Sequence, residues 1–352
     1  MASEKIEKVR QTLRGKGLDV ILFFSSENLI YLSGYTGGEG ILGIAEDKVW
    51  LFVDFRYFEI AQEEARECEV RLLKKGLKEV REFLRERNFK KIGLEAKAIT
   101  LFEFEQLHDP AFNFIPLSKE LEALRAKKTP EEIRLIKKAV EVAENALKEV
   151  LKLVKPGMRE IEIAIELEYQ MKKRGSESLP FQVIVLSGER TSLPHGVPSE
   201  KVIKEGELLL FDFGARIGGY ASDETRTVFL GEVEPELKRI YKIVREAQQN
   251  ALKVIKAGSS FKEVDKAARK LIEDAGYGNF FGHGTGHGVG LAVHEYPSLS
   301  PESEGELEEG MVVTVEPGIY LPQKGGVRIE DLVLVKEDGV EILTKLDHHI
   351  RI

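Results

Sequence analysis

The sequence predicts a chain of the α/β class in two parts, an alternating α/β domain followed by an α+β domain containing an internal repeat. Three observations lead there. Short apolar runs alternate with amphipathic segments up to about residue 117, a capped helix opens near residue 130, and a set of residues beyond it recurs 101 to 107 positions later.

In the first part LDVILFF (18–24), VWLFVD (49–54), VRLL (70–73), KIGLE (91–95) and FNFIPL (112–117) read as strands. EKIEKVRQTLR, RYFEIAQEEAR and LKEVREFLRER carry apolar residues at helical intervals. Alternation of this kind fits a small α/β domain with its own core. It holds one histidine, His108, and no cluster of candidate ligands. A boundary in SKELEALRAKKT (118–129) gives domains of 1–125 and 126–352. Thr129 then reads as an N-cap, Pro130 as the first helical residue and Glu132 as the partner that completes a capping box, opening a helix to about Val154. Its charged, amphipathic pattern implies a solvated face over a core.

The repeat begins beside that helix. Lys155, Gly157, Glu162 and Gly175 have counterparts Lys256, Gly258, Glu263 and Gly276, each 101 positions on. Each copy is followed by a strand opened by Glu-Gly, EGELLLFDFG (205–214) and EGMVVTVEPG (309–318), 104 positions apart, so Asp212 matches Glu316. GYASD (219–223) matches GVRIE (326–330) at an offset of 107, so Asp223 matches Glu330. Asp212 and Glu316 interrupt apolar runs that otherwise read as buried strand, and a buried carboxylate is costly unless paired or bound to a metal.

Composition narrows the partners. A formal net charge of -8 opposes nonspecific binding to nucleic acid or an anionic membrane. The single Cys68 excludes an internal disulfide framework and a thiolate cage, so any metal site must use oxygen and nitrogen. The N-terminus lacks the apolar core of a signal peptide, and no run approaches the roughly 18 apolar residues of a membrane span. The expected setting is a reducing cytoplasm. Charge is carried mostly by Lys, Arg and Glu, with Gln and Asn scarce, a balance reported for proteins of hot-living organisms.

The segment FGHGTGHGVGLAVHE (281–295) places three of the seven histidines, His283, His287 and His294, among alternating glycines. It fits neither G-x-G-x-x-G nor G-x-x-x-x-G-K-[ST]. Glycine also permits sharp turns and close backbone approach, and neutral imidazole is a common metal ligand. Folding the two matched hairpins about a pseudo-twofold would converge Asp212, Asp223, Glu316 and Glu330, with His287 able to complete the set. Four carboxylates and one imidazole suit two divalent ions, which in hydrolytic sites sit about 3.5 to 4 Å apart. Such ligands suit manganese, cobalt, iron or zinc.

These residues resemble the pita-bread metallopeptidases, and within them the Xaa-Pro peptidases, prolidase and aminopeptidase P. LPHG (193–196), DFGARIGGYASDETRT (212–227), GHGTGHGVGLAVHE (282–295), TVEPGIY (314–320) and GVRIED (326–331) carry the likeness. It implies a creatinase/prolidase-type N-terminal domain, then a pseudo-twofold pita-bread catalytic domain. It implies Asp212, Asp223, His287, Glu316 and Glu330 as ligands of two divalent ions, manganese or cobalt with zinc or iron as alternatives, Asp223 and Glu330 bridging. It also implies a metal-bridging hydroxide as the attacking group and Glu316 as its general acid/base. His195 and His294 would hydrogen-bond the scissile carbonyl, His283 would border the proline ring, and Arg328 would orient Glu330 and its neighbours. The implied substrates are Xaa-Pro dipeptides or short peptides with proline second, and the implied assembly is a homodimer. His348 and His349 match nothing and read as surface residues.

Methionine aminopeptidase shares the five-ligand pattern, but the separate N-terminal domain and the R-I-E-D context of Glu330 favour the Xaa-Pro branch. Creatinase-like amidinohydrolases lack the metal set. An inactive peptide-binding scaffold would show a broken one. Some prolidases carry an arginine four residues after the counterpart of His294, where this chain has Ser298, so the choice between dipeptidase and aminopeptidase stays open.

Overall fold

In a computed structural model, which describes residues 2–352, the chain separates into two units, Met1–Arg125 and Ala126–Ile352. The first runs α1 (Ala2–Lys16), β1 (Val20–Phe23), α2 (Ser26–Ser33), β2 (Ile41–Ala45), β3 (Val49–Val53), α3 (Phe58–Glu64), β4 (Glu69–Leu72), α4 (Leu77–Glu86), β5 (Lys91–Glu95), α5 (Leu101–Leu107), β6 (Asn113–Leu117) and the short α6 (Lys119–Glu122). The strands form one mixed sheet in the order β4-β3-β2-β1-β5-β6. Trp50 and Phe52 on β3 meet Phe83 of α4 edge to face, each with ring centroids 5.1 Å apart, at the centre of its core.

Four elements of this unit were not in the sequence reading: α2, β2, α5 and the short α6, which falls in the expected boundary segment. β2, ILGIA, lies antiparallel between β1 and β3. Ser25 caps the eight-residue α2 by accepting from the Asn28 amide, and Thr100 with Glu103 forms a capping box on α5.

The second unit contains α7 (Pro130–Leu151), α8 (Glu160–Lys173), β7 (Ile184–Ser187), β8 (Glu207–Phe213), β9 (Arg216–Ile217), β10 (Tyr220–Ala221) and β11 (Glu224–Leu230). There follow α9 (Pro235–Val254), α10 (Phe261–Asp274), β12 (Gly286–Gly288), β13 (Glu295–Leu299), β14 (Val312–Val315), β15 (Gly318–Leu321), β16 (Gly325–Arg328), β17 (Asp331–Lys336) and β18 (Gly339–Ile342). Thr129 and Glu132 form the capping box, with Pro130 in the first turn. α7 ends at Leu151, three residues before the expected end, and is followed by a tight turn in which the Leu153 and Val154 amides both donate to the Val150 carbonyl.

The duplication appears in the architecture. α7 and α8 cover sheet β11-β8-β7, while α9 and α10 pack with β14 and β17 of sheet β13-β12-β14-β17-β18. α8 and α10 are both 14 residues long, and the matched glycines Gly175 and Gly276 that follow them both take left-handed backbone, at φ 101° and 86°. β11 joins the halves: the Thr227 hydroxyl donates to the Arg328 carbonyl at 2.8 Å, and Arg226 binds the Glu330 carbonyl and the Asp331 carboxylate. Both acids of each hairpin therefore lie at strand ends near this seam.

His348 corrects the sequence reading. Its Nε2 is 2.7 Å from Asp331 Oδ2, and the ring of His349 packs against Phe229, so the C-terminal segment is tied to the core of the second unit.

Candidate metal centre

The antiparallel ladder of β8 and β11 puts Asp212 opposite Thr225, with Asp223 just before β11 begins. Glu316 follows the end of β14, and Glu330 immediately precedes β17. His287 lies in β12, with a bulge between it and Gly288. Three overlapping groups could each hold an ion, their ligand atoms all within 4.8 Å: Asp212, Asp223 and Glu330; His287, Glu316 and Glu330; and Asp223, His287 and His294. All five residues expected to be ligands are thus brought together. His294, expected on the substrate side, also reaches Asp223 and His287, its ring centroid 4.3 Å from that of His287.

The chemistry fits a cation. Asp212 Oδ1 and Glu330 Oε1 are buried without a hydrogen-bond partner, a costly state for carboxylate oxygens. Burial pushes the Asp223 carboxyl well above its ordinary range, and Glu330, Asp212 and Glu316 push it further. Glu330 is raised in the same way, and burial raises Glu316 against the opposing influence of His283 and Arg328. Burial lowers His283, His287 and His294, favouring the neutral imidazoles a metal requires. His287 Nδ1 donates to the Gly288 carbonyl at 3.1 Å, leaving Nε2 as the lone-pair nitrogen, 3.6 Å from Asp223 Oδ2 and 3.4 Å from Glu316 Oε1.

Arg328 is the buried cation of the cluster. Nη2 donates to Asp212 Oδ2 at 2.5 Å, Nε to the Thr225 hydroxyl at 3.0 Å, and Nη1 to the Tyr320 hydroxyl at 3.0 Å and the Pro194 carbonyl at 3.2 Å. The Thr225 hydroxyl donates in turn to Glu330 Oε2 at 2.7 Å. Arg328 therefore touches Asp212 directly and reaches the Glu330 carboxylate only through Thr225. His283 Nδ1 donates to the Gly284 carbonyl, so its Nε2 accepts from Tyr320, also at 2.8 Å. His195 is exposed beside Pro194, whose carbonyl Arg328 holds.

Thr225, Tyr320 and Thr314 were missed by the sequence reading. Thr314 accepts from the His287 amide at 3.1 Å, and its hydroxyl is 3.4 Å from Glu316 Oε1. The available signal was position, since each lies two or four residues from a candidate ligand on a strand or hairpin. The glycines around His287 also differ from expectation. None between 282 and 290 has positive φ, and a side chain at Gly286 would meet the Thr314 carbonyl at 2.0 Å. Gly284, Gly286 and Gly288 serve close backbone approach, to Leu299, Thr314 and Tyr296 respectively.

Comparison with known proteins agrees with this architecture. The sequence model for metallopeptidase family M24 matches residues 134–337, and that for the creatinase/prolidase N-terminal domain matches residues 5–127. The chain is 38% identical over 349 residues to a Xaa-Pro dipeptidase of Pyrococcus furiosus, covering 99% of each chain, and 41% identical to an uncharacterized peptidase of Bacillus subtilis, covering 97% of each. A solved Xaa-Pro dipeptidase from Bacillus anthracis superposes with a TM-score of 0.95 at 42% identity, covering 100% of both chains. An X-Pro aminopeptidase from Thermotoga maritima gives 0.87 at 40%, covering 99% of this chain and 100% of that one. With this fold and this coverage, the chain belongs to metallopeptidase family M24.

Proposed function

We propose that this chain is a dinuclear metallo-exopeptidase that cleaves the bond between an N-terminal residue and proline in dipeptides or short peptides. In this reading residues 1–125 form the creatinase/prolidase-type domain and 126–352 the catalytic domain. The observation that carries it is the convergence of four acids and an imidazole from a duplicated scaffold, with two buried carboxylate oxygens lacking partners. The full-length likeness to proteins named Xaa-Pro dipeptidase supports the substrate class.

Asp212, Asp223, His287, Glu316 and Glu330 would hold two divalent ions, manganese or cobalt with zinc or iron as alternatives. Bound there, the ions would polarise the scissile carbonyl and activate water for attack. Glu316 would take a proton from the attacking water and deliver it to the leaving proline nitrogen. His195 and His294 would hydrogen-bond the carbonyl oxygen as charge develops on it. His283, fixed between Gly284 and Tyr320, would border the proline ring. Arg328 would keep Asp212 and, through Thr225, Glu330 in ligating orientation.

Ser298 faces His287 across the β12–β13 ladder and is exposed, so this position offers no cation to a dipeptide's terminal carboxylate. That favours acceptance of longer Xaa-Pro-Xaa chains. The test is kcat/KM on Xaa-Pro and Xaa-Pro-Xaa substrates after chelation and reloading with Mn or Co. Turnover restored by metal is expected; no turnover with any divalent ion would overturn the reading in favour of a peptide-binding scaffold. A cytoplasmic homodimer is the expected working form.

A further inference from the structure

Glu160, the first residue of α8, is fully buried yet belongs to none of the acid groups described above. A buried carboxylate is unfavourable unless donors surround it. Here five do. Oε1 accepts from the Ser187 amide at 2.8 Å and its hydroxyl at 2.9 Å. Oε2 accepts from the Ser199 amide at 3.1 Å, its hydroxyl at 2.7 Å and Arg190 Nε at 3.0 Å. The helix answers with its own first amides, Glu160 N donating to the Lys201 carbonyl and Ile161 N to the Ser199 carbonyl, both at 3.0 Å. One side chain therefore fastens both ends of the segment between Ser187 and Ser199.

That segment carries His195. Arg190 crosses it from inside, its Nη2 donating to the Val197 carbonyl at 2.6 Å while Nε holds Glu160. The Thr191 hydroxyl donates to the Gly188 carbonyl and accepts from the Gly326 amide, both at 2.7 Å, and Arg328 holds the Pro194 carbonyl. On either side of His195, Pro194 and Val197 are thus gripped by arginines, while the imidazole itself is exposed.

We propose that Glu160 and Arg190 form a clamp that closes the 187–199 loop and positions His195 over the acid cluster. Both are positioning residues, acting through His195, and the inference rests on the substrate-side role given to that histidine above. An apolar pair could fill the same space, but only a carboxylate can accept from both loop ends and a guanidinium at once. The loop is thereby set against α8 by directional bonds, in addition to the link through Arg328 to Asp212.

The test compares Arg190→Gln, Arg190→Lys, Glu160→Gln, His195→Ala and the Arg190→Gln/His195→Ala double variant in the full chain loaded with manganese. Amide hydrogen exchange of residues 193–197 should rise about tenfold in Arg190→Gln with the rest of the chain unchanged. Metal stoichiometry should stay at the wild-type value. On a Xaa-Pro substrate kcat should fall roughly 10–100-fold with little change in KM, Arg190→Lys should recover part of it, and Arg190→Gln should add nothing in the His195→Ala background. Unchanged exchange in residues 193–197, or an equal further loss of kcat in the double variant, would overturn the clamp. Arg190 is partly exposed, so its variants decide the matter even if Glu160→Gln does not fold. If wild-type protein turns over no Xaa-Pro substrate, the proposed function falls, and the exchange measurement still decides whether the clamp holds the loop.

Discussion

The two hairpins of the catalytic unit descend from one pattern and handle their buried acids differently. In the first, Asp212 stands opposite Thr225; in the second, Val315, just before Glu316, stands opposite Asp331, just after Glu330. The acids match by sequence offset while the ladders differ in register by two residues. What is kept is the convergence of the acids at the seam, with side-chain length, Asp in one hairpin and Glu in the other, taking up the difference.

The next residue in each copy sharpens the contrast. Glu224 and Asp331 occupy matched positions, both are buried, and both pair with Arg226 at 2.8 Å. Asp331 also accepts from Gln248, Thr344 and His348, and these partners with Arg226 outweigh burial and hold its carboxyl well below the ordinary range. Glu224 lies 2.8 Å from Arg226 without hydrogen-bond alignment, and burial pushes it up to about 8 despite that guanidinium. Equal burial gives opposite results, so the partners decide.

The largest effect should come from the acids at the seam. Glu330→Ala and Asp223→Ala should each reduce peptidase activity to background in a metal-supplemented assay, since each appears in two of the three groups able to hold an ion. Arg328→Lys keeps the charge but cannot reach four acceptors at once, and should lower kcat/KM about 10–100-fold. Asp331→Asn breaks a buried ion pair and should cost about 3–5 kcal/mol in denaturant unfolding, whereas Glu224→Gln at pH 7 replaces a carboxyl already holding a proton and should cost under about 1 kcal/mol.

The subtlest effect is in pH. A carboxyl raised in the folded state binds protons that the unfolded chain releases, so its contribution declines as pH rises from about 4.5 to about 8. Asp331, lowered in the folded state, contributes stability above its ordinary value that is lost as pH falls. Metal-free Glu224→Gln should therefore lose less stability than wild type between pH 5 and 8, and Asp331→Asn should flatten the acid limb; thermal unfolding across pH checks both.

Much of this was legible in the sequence, for physical reasons. Asp212 and Glu316 stood out because carboxylates inside apolar strands demand a counterion, and the constant offset of Gly157 and Gly175 from Gly258 and Gly276 exposed the repeat. The helix start at Thr129 was legible because capping is local. β2 was not, although ILGIA is as short and as apolar as the neighbouring β3. Nor were the partners of Arg226 and Arg328, which lie up to 134 residues away in sequence and are found only when the halves meet. Glu160 gave no signal because its five donors come from a loop whose closure it helps to cause.

The most direct test of the central claim is metal content after equilibration with Mn and removal of free ion. The account predicts two ions per chain in the wild type and fewer in Asp223→Ala and Glu330→Ala that remain folded. A wild-type chain that retains no ion, or folded variants that retain two, would contradict it.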